Sequence, residues 1–179
     1  PLLAQSADPD PEPIAGVTEI IVTARKREES LQDVPLSIAT LDASQLQGRG
    51  LTSDYDIANF TVGFRTLQQT GRDTDRPTIR GMGAPVSRGE PNASYFIDGV
   101  FVSGSISTAV TGAVERVEVL RGPQSAQFGR ATFAGAVNYV TKKPTDTFRG
   151  EINGKAGTHD DHAVRGWASG PIGDSAFSY

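Results

Sequence analysis

The chain has 179 residues, of which 37% are hydrophobic, enough for one modest core with appendages. Its 17 basic and 21 acidic residues leave a formal net charge of -4, which disfavours a nucleic-acid binder that works by neutralising phosphates. The absence of cysteine excludes a disulfide framework and thiolate metal sites, and no run approaches the roughly 18 to 20 apolar residues of a membrane-spanning helix.

The opening PLLAQSA is short, apolar and rich in small residues, as in the remnant of a secretory signal or in an ordinary flexible terminus. From Ala7 to Gly16 proline alternates with acids, so residues 1–18 are expected to form an extended, solvated linker. Glu19, Ile20, Ile21, Val22, Thr23 and Ala24 place β-branched residues in a row directly before a charged run at 25–32. This segment reads as a short isolated strand with no hairpin partner.

VPLSIA (Val34 to Ala39) is the next strand candidate. Asp42 with Gln45 three residues later then makes a capping-box pattern for a short helix ending near Gly48 to Gly50. A second helix is predicted over Ser53 to Asn59, with Tyr55, Ile57, Ala58 and Phe60 gathered on one side and Gly63 ending the pattern. Strands follow at PTIRGMG (Pro77 to Gly83), SYFIDGV (Ser94 to Val100), VERVEVLRG (Val114 to Gly122) and AGAVNYVTKKP (Ala134 to Pro144). Short helices mixed with short strands point to an α+β domain over 33–145.

From Phe148 onward the pattern changes. Phe148, Gly150, Ile152, Gly154 and Ala156 alternate with Arg149, Glu151, Asn153, Lys155 and Gly157, THDDH reads as a turn, and Ala163 to Ser169 returns as a second strand. After GPIGD, SAFSY begins a third. Strict alternation over about 9 residues suits a transmembrane β-strand, and a soluble antiparallel sheet shows the same alternation.

Candidate chemistry is sparse. His159 and His162 flank Asp160 and Asp161, but without a third remote ligand the pattern reads as a solvated turn rather than a metal site. The pairs Asp54 with Asp56 and Asp73 with Asp75 read as helix-start or loop solvation. Neither G-x-S-x-G nor S-x-x-K occurs, and the glycine-rich RGPQSAQFGRATFAGA lacks the Gly-Lys-Ser/Thr ending of a phosphate loop. No enzyme activity and no cofactor are expected.

Taken in order, the motifs resemble the TonB-dependent outer-membrane receptor family. EIIVTARKREESLQDVPLSI is similar to the family's coupling box (TonB box) joined to the start of its plug, PTIRGMG to its central IRG strand and SYFIDGV to its Y-x-DGV element. VERVEVLRGPQSAQFGRATFAGAVNYVTKKP is similar to ERVEVLRGP followed by a Gly-Gly pair and INIVTKKP. Departures are Ala134 for the first glycine of the pair, Ser125 where glycine is common, and the bulk of Phe133. An alanine or serine at positive φ would pay a steric cost, so a different local conformation is expected there.

The resemblance implies an α+β plug at 33–145 inside a barrel of about 22 strands, the first of which begin at 146–179, with a TonB box at 19–24 and a charged linker at 25–32. Two or three strands cannot close, so the barrel is expected to be truncated here. It also implies an outer-membrane location, TonB with its inner-membrane energising complex as partner, and an extracellular ligand, by default a ferric siderophore, with cobalamin, an oligosaccharide or another metal chelate as alternatives among which the sequence does not choose. Ligand-facing loops would be Gln68 to Arg76, Ala84 to Asn92 and Ser103 to Gly112, with Arg72, Asp73, Arg76 and Arg88 as hydrogen-bonding candidates. Arg80, Arg116 and Arg121 would form an ion-pair lock with plug or wall carboxylates, Glu115 and Glu118 being the local candidates. Two readings compete: a soluble periplasmic binding or assembly module, and a small β-rich hydrolase, for which the sequence offers no catalytic constellation.

Overall fold

The computed structural model describes residues 20–23, 29–67, 75–83, 91–103, 106, 113–129, 131–158 and 162–171. The predicted linker at 1–18, half of the charged run (25–28), most of the three loops, the turn residues 159–161 and the third strand at SAFSY lie outside them.

A five-stranded mixed sheet forms the centre. Its strands are β3 (Ser37–Asp42), β6 (Ala93–Ile97), β7 (Val100–Val102), β8 (Val114–Arg121) and β9 (Gly135–Thr141), in the spatial order β3-β8-β9-β6-β7. β6 and β9 run parallel, and every other pairing in this sheet is antiparallel.

Alternation along β8 and β9 divides the sheet into two buried faces. Val117, Val119, Val137 and Tyr139 look to one side, where α1 (Ala43–Gly48), α2 (Asp54–Phe60), β4 (Phe64–Leu67) and β5 (Arg76–Ile79) supply Leu46, Ile57, Phe64 and Ile79. Leu120, Ala136 and Phe96 look to the other, where Val22, Val34 and Phe128 cover them. Phe128 belongs to α3 (Ser125–Phe128), a single turn inside the glycine-rich loop that the sequence pattern does not reveal.

Helices α1 and α2 start with capping boxes. Asp42 accepts from the Gln45 backbone N–H at 2.8 Å, while Ser53 and Asp56 satisfy each other's backbone at the head of α2.

Several expectations are corrected. EIIVTA is not an isolated strand: β1 (Ile21–Val22) pairs antiparallel with β2 (Glu29–Ser30), because the end of the charged run returns alongside it. VPLSIA begins its strand only at Ser37 and runs on to Asp42, which serves both the ladder and the helix cap. On α2, Ile57 and Ala58 are buried but Phe60 is 55% exposed, beneath the Arg49 guanidinium.

PTIRGMG stops as a strand at Ile79, since Arg80 (φ 52) and Gly81 (φ 76) turn the chain and bring Met82 N–H back to the Ile79 carbonyl. SYFIDGV is a hairpin rather than one strand. Asp98 (φ 49) and Gly99 (φ 77) form its two-residue loop, the Asp-Gly combination favoured where both central residues need positive φ. At the altered glycine pair the positive φ falls on Gly135 while Ala134 packs fully buried, and Ala131 (φ 65) carries a positive φ earlier in the same loop.

β10 (Arg149–Ala156) and β11 (His162–Ser169) form an antiparallel hairpin in full register. Phe148, Ile152 and Val164 are exposed on one face. On the other, Glu151 accepts from Trp167 Nε1 at 3.1 Å and from Gln47 of α1 at 3.2 Å, and Lys142 Nζ lies 4.0 Å above the Trp167 ring. The polar face therefore meets the α+β domain and the apolar face points away from it. Among the described residues no helix is long and apolar enough to cross a membrane, which says nothing of a β-barrel.

Candidate functional site on the central sheet

The segment from Ile20 to Thr23 lies across the second face of the sheet. β-branched residues favour the extended conformation here, so alternate side chains point down and up. Val22 points down, fully buried among Phe96, Leu120 and Ala136, while Ile21 stays 37% exposed. Burying such a valine contributes about 1.5 to 3 kcal/mol. The Ile20 carbonyl accepts from Leu31 N–H at 2.8 Å, which with the two-residue β1–β2 pairing completes the backbone anchorage.

One residue further, the chain meets a charge. Thr23 N–H donates to Glu118 Oε1 at 2.7 Å, and Thr23 Oγ1 lies 3.1 Å from each carboxylate oxygen. Glu118 is fully buried in the middle of β8. Arg116 Nε, two residues along the same face, donates to it at 2.9 Å, and Asn138 Nδ2 reaches it at 3.5 Å and Thr23 Oγ1 at 3.4 Å. Arg116 Nη1 also pairs with the half-exposed Glu115 at 2.7 Å.

The predicted site residues separate accordingly. Val22, Thr23, Arg116 and Glu118 come together at this point. Arg80 is exposed at its turn, and Arg121 donates Nη1 to the Val62 carbonyl at 3.0 Å, away from both local glutamates. Glu19, Ala24, Arg72, Asp73 and Arg88 lie outside the described residues. Arg76 opens β5, half-buried and engaged, beside a groove of about 300 Å³ lined by Asp75, Tyr95, Phe101 and Ser103. Asn138 escaped the sequence reading, although a lone amide at an inward position of NYVTKK was the signal available.

A second polar group lies under the opposite face. Tyr95 Oη donates to Asp54 Oδ2 at 3.0 Å and is 3.2 Å from Thr66 Oγ1, while Tyr55 Oη donates to Asp75 at 3.3 Å. Burial pushes the Asp54 carboxyl above the usual range; the Tyr95 hydrogen bond opposes this and the charge of Asp75 adds to it. Burial, and then the charge of Asp54, push the Tyr95 and Tyr139 hydroxyls up. Asp54, expected from the sequence to be a solvated helix start, is buried by the fold. Among the described residues no three metal-ligating side chains converge.

Comparison with known proteins places this architecture. Residues 30–136 match the model of the TonB-dependent receptor plug domain. The chain is 27% identical over 156 residues to the pesticin receptor of Yersinia pestis, covering 87% of this chain and 23% of that protein. It is 30% identical over 140 residues to the ferrichrome outer membrane transporter/phage receptor of Escherichia coli, covering 76% and 18%. Among solved structures, the ferric yersiniabactin uptake receptor of Yersinia pestis superposes with TM-score 0.67 at 28% identity, covering 78% of this chain and 22% of that one. The siderophore receptor PiuA of Acinetobacter baumannii gives 0.61 at 27%, covering 82% and 20%. The chain thus spans about a fifth to a quarter of the length of these relatives. With its mixed sheet, short helices and docked N-terminal strand, the chain belongs to the TonB-dependent receptor family, whose plug domain it contains.

Proposed function

We propose that this chain is the plug and opening barrel strands of an outer-membrane receptor that admits a ferric siderophore to the periplasm, with residues 19–24 as the box on which TonB pulls. The observation that carries the coupling reading is the seat of Val22 and Thr23 on the central sheet. A pull on this segment acts directly on β8 and β9 rather than on a peripheral loop. TonB engages by strand addition, in which backbone hydrogen bonds supply affinity and alternate side chains selectivity. Because the segment's own pairing is only two residues long, little ladder is given up when it changes partner.

Relatives named for ferrichrome, ferripyoverdine and ferric yersiniabactin support this substrate class. The loops at 68–76, 84–92 and 103–112, with Arg72, Asp73, Arg76 and Arg88, are the proposed ligand contacts. Residues 33–145 form the plug, and 146–179 enter the barrel wall with the polar face of β10–β11 toward the plug and the apolar face toward lipid. The alternative, a soluble module, leaves the exposed Phe148, Ile152 and Val164 face without a purpose.

The test uses the complete receptor. Ile21→Pro removes an N–H donor and fixes φ, so it spoils an intermolecular strand. Expression and ligand binding should remain normal while energised uptake is lost. Normal uptake by Ile21→Pro would overturn the coupling assignment.

A further inference from the structure

A carboxylate in the middle of a sheet is tolerated only when its lone pairs are filled. Glu118 fills them from three parts of the chain. Arg116 from its own strand and Asn138 from β9 are built into the sheet. Thr23 belongs to a segment otherwise held by a two-residue pairing, the Leu31 N–H bond to the Ile20 carbonyl and one buried valine. One of the three partners is therefore detachable.

From this we infer that Glu118 is the positioning residue that holds the coupling segment on the plug and sets how often that segment is free. The inference rests on the coupling reading above and adds the group that governs it. Arg116 keeps the carboxylate aimed at Thr23, and the charge strengthens the short backbone N–H contact. Oγ1 adds recognition that a hydroxyl residue at position 23 supplies and valine does not.

Release is reversible because the site adjoins water. Thr23 and Asn138 line an open groove of about 620 Å³ together with Asp98, Val100, Thr141 and Lys142. When Thr23 leaves, water from this groove takes its place at the carboxylate, while Arg116 and Asn138 stay. A fully enclosed carboxylate would instead be stripped of a donor with nothing to replace it.

The chain contains no cysteine, so Val22→Cys supplies a single thiol within it that is buried when the segment is docked. In the complete receptor, freed of any other cysteine and held in membranes without TonB, the rate of thiol labelling reads the undocked fraction. Glu118→Gln keeps the shape and removes the charge, and should speed labelling about tenfold. Thr23→Val keeps the N–H and removes the hydroxyl, and should speed it a few-fold.

A thiol at Val137, buried on the opposite face, must stay protected in Glu118→Gln. If it also becomes labelled, the plug itself has loosened and Thr23→Val alone decides. Unchanged labelling in Thr23→Val and in a folded Glu118→Gln overturns the inference. Faster labelling as expected, together with normal uptake by Ile21→Pro, leaves the docking in place and removes the coupling reading.

Discussion

Arg116 Nε and Glu118 Oε1 are 2.9 Å apart, with the carboxylate wholly out of solvent and the guanidinium nearly so. Arg121, five residues on and alike in sequence, is half-buried, donates Nη1 to the Val62 carbonyl and leaves its buried Nε without a hydrogen-bond partner. The two arginines should therefore differ in worth. Arg116→Ala leaves a buried charge without its cation and is expected to destabilise the plug by about 3 to 5 kcal/mol. Arg121→Ala loses one neutral-acceptor bond and also removes a buried donor that has no partner, so it should cost about 1 kcal/mol. Chemical denaturation of the plug in the complete receptor checks this, and equal losses for both variants would contradict the assignment.

Gly135 should be irreplaceable where its neighbour is not. Its φ is 152, and a Cβ there would overlap the Leu120 carbonyl oxygen and lie 2.7 Å from Ile79 Cδ1. Backbone cannot move aside as a flexible side chain can. Gly135→Ala should cost about 3 kcal/mol or more. Gly154→Ala in β10, where a Cβ meets nothing within 4 Å, should be nearly neutral. Thermal unfolding of the two variants tests the contrast.

Asp54 should make plug stability depend on pH. Its folded-state carboxyl is raised, chiefly by burial, so its contribution to stability is fully present below the unfolded carboxylate value of about 3.9 and is lost as pH rises through the folded value. Asp54→Asn keeps an acceptor for Tyr95 and removes the titration. The stability of Asp54→Asn relative to the parent should therefore improve between about pH 4 and about pH 7. A relative melting temperature that is the same at both values would show that Asp54 does not titrate in this window.

Local chemistry was legible wherever it acts over a few residues. The capping box of Asp42 and Gln45, the β-branched runs of β8 and β9 and the alternation of β10 and β11 all follow from side-chain period and short-range hydrogen bonding. The Asp98-Gly99 turn is equally local, an Asp-Gly pair at positive φ inside the run SYFIDGV. The ordered motifs also carried the family, because their spacing survives where individual positions such as Ala134 differ.

What the tertiary structure decided is which distant groups share a face. Thr23 and Glu118 are 95 positions apart, and no periodicity links them until the chain lays β1 across the β8–β9 face. The same holds for the choice of Arg116 over Arg121 as Glu118's partner, and for the burial of Asp54 beneath Tyr95. Propensity and turn chemistry act along the chain, whereas strand order and burial are set by long-range packing. A charged residue's worth depends on the latter, through the water it loses and the partners it meets.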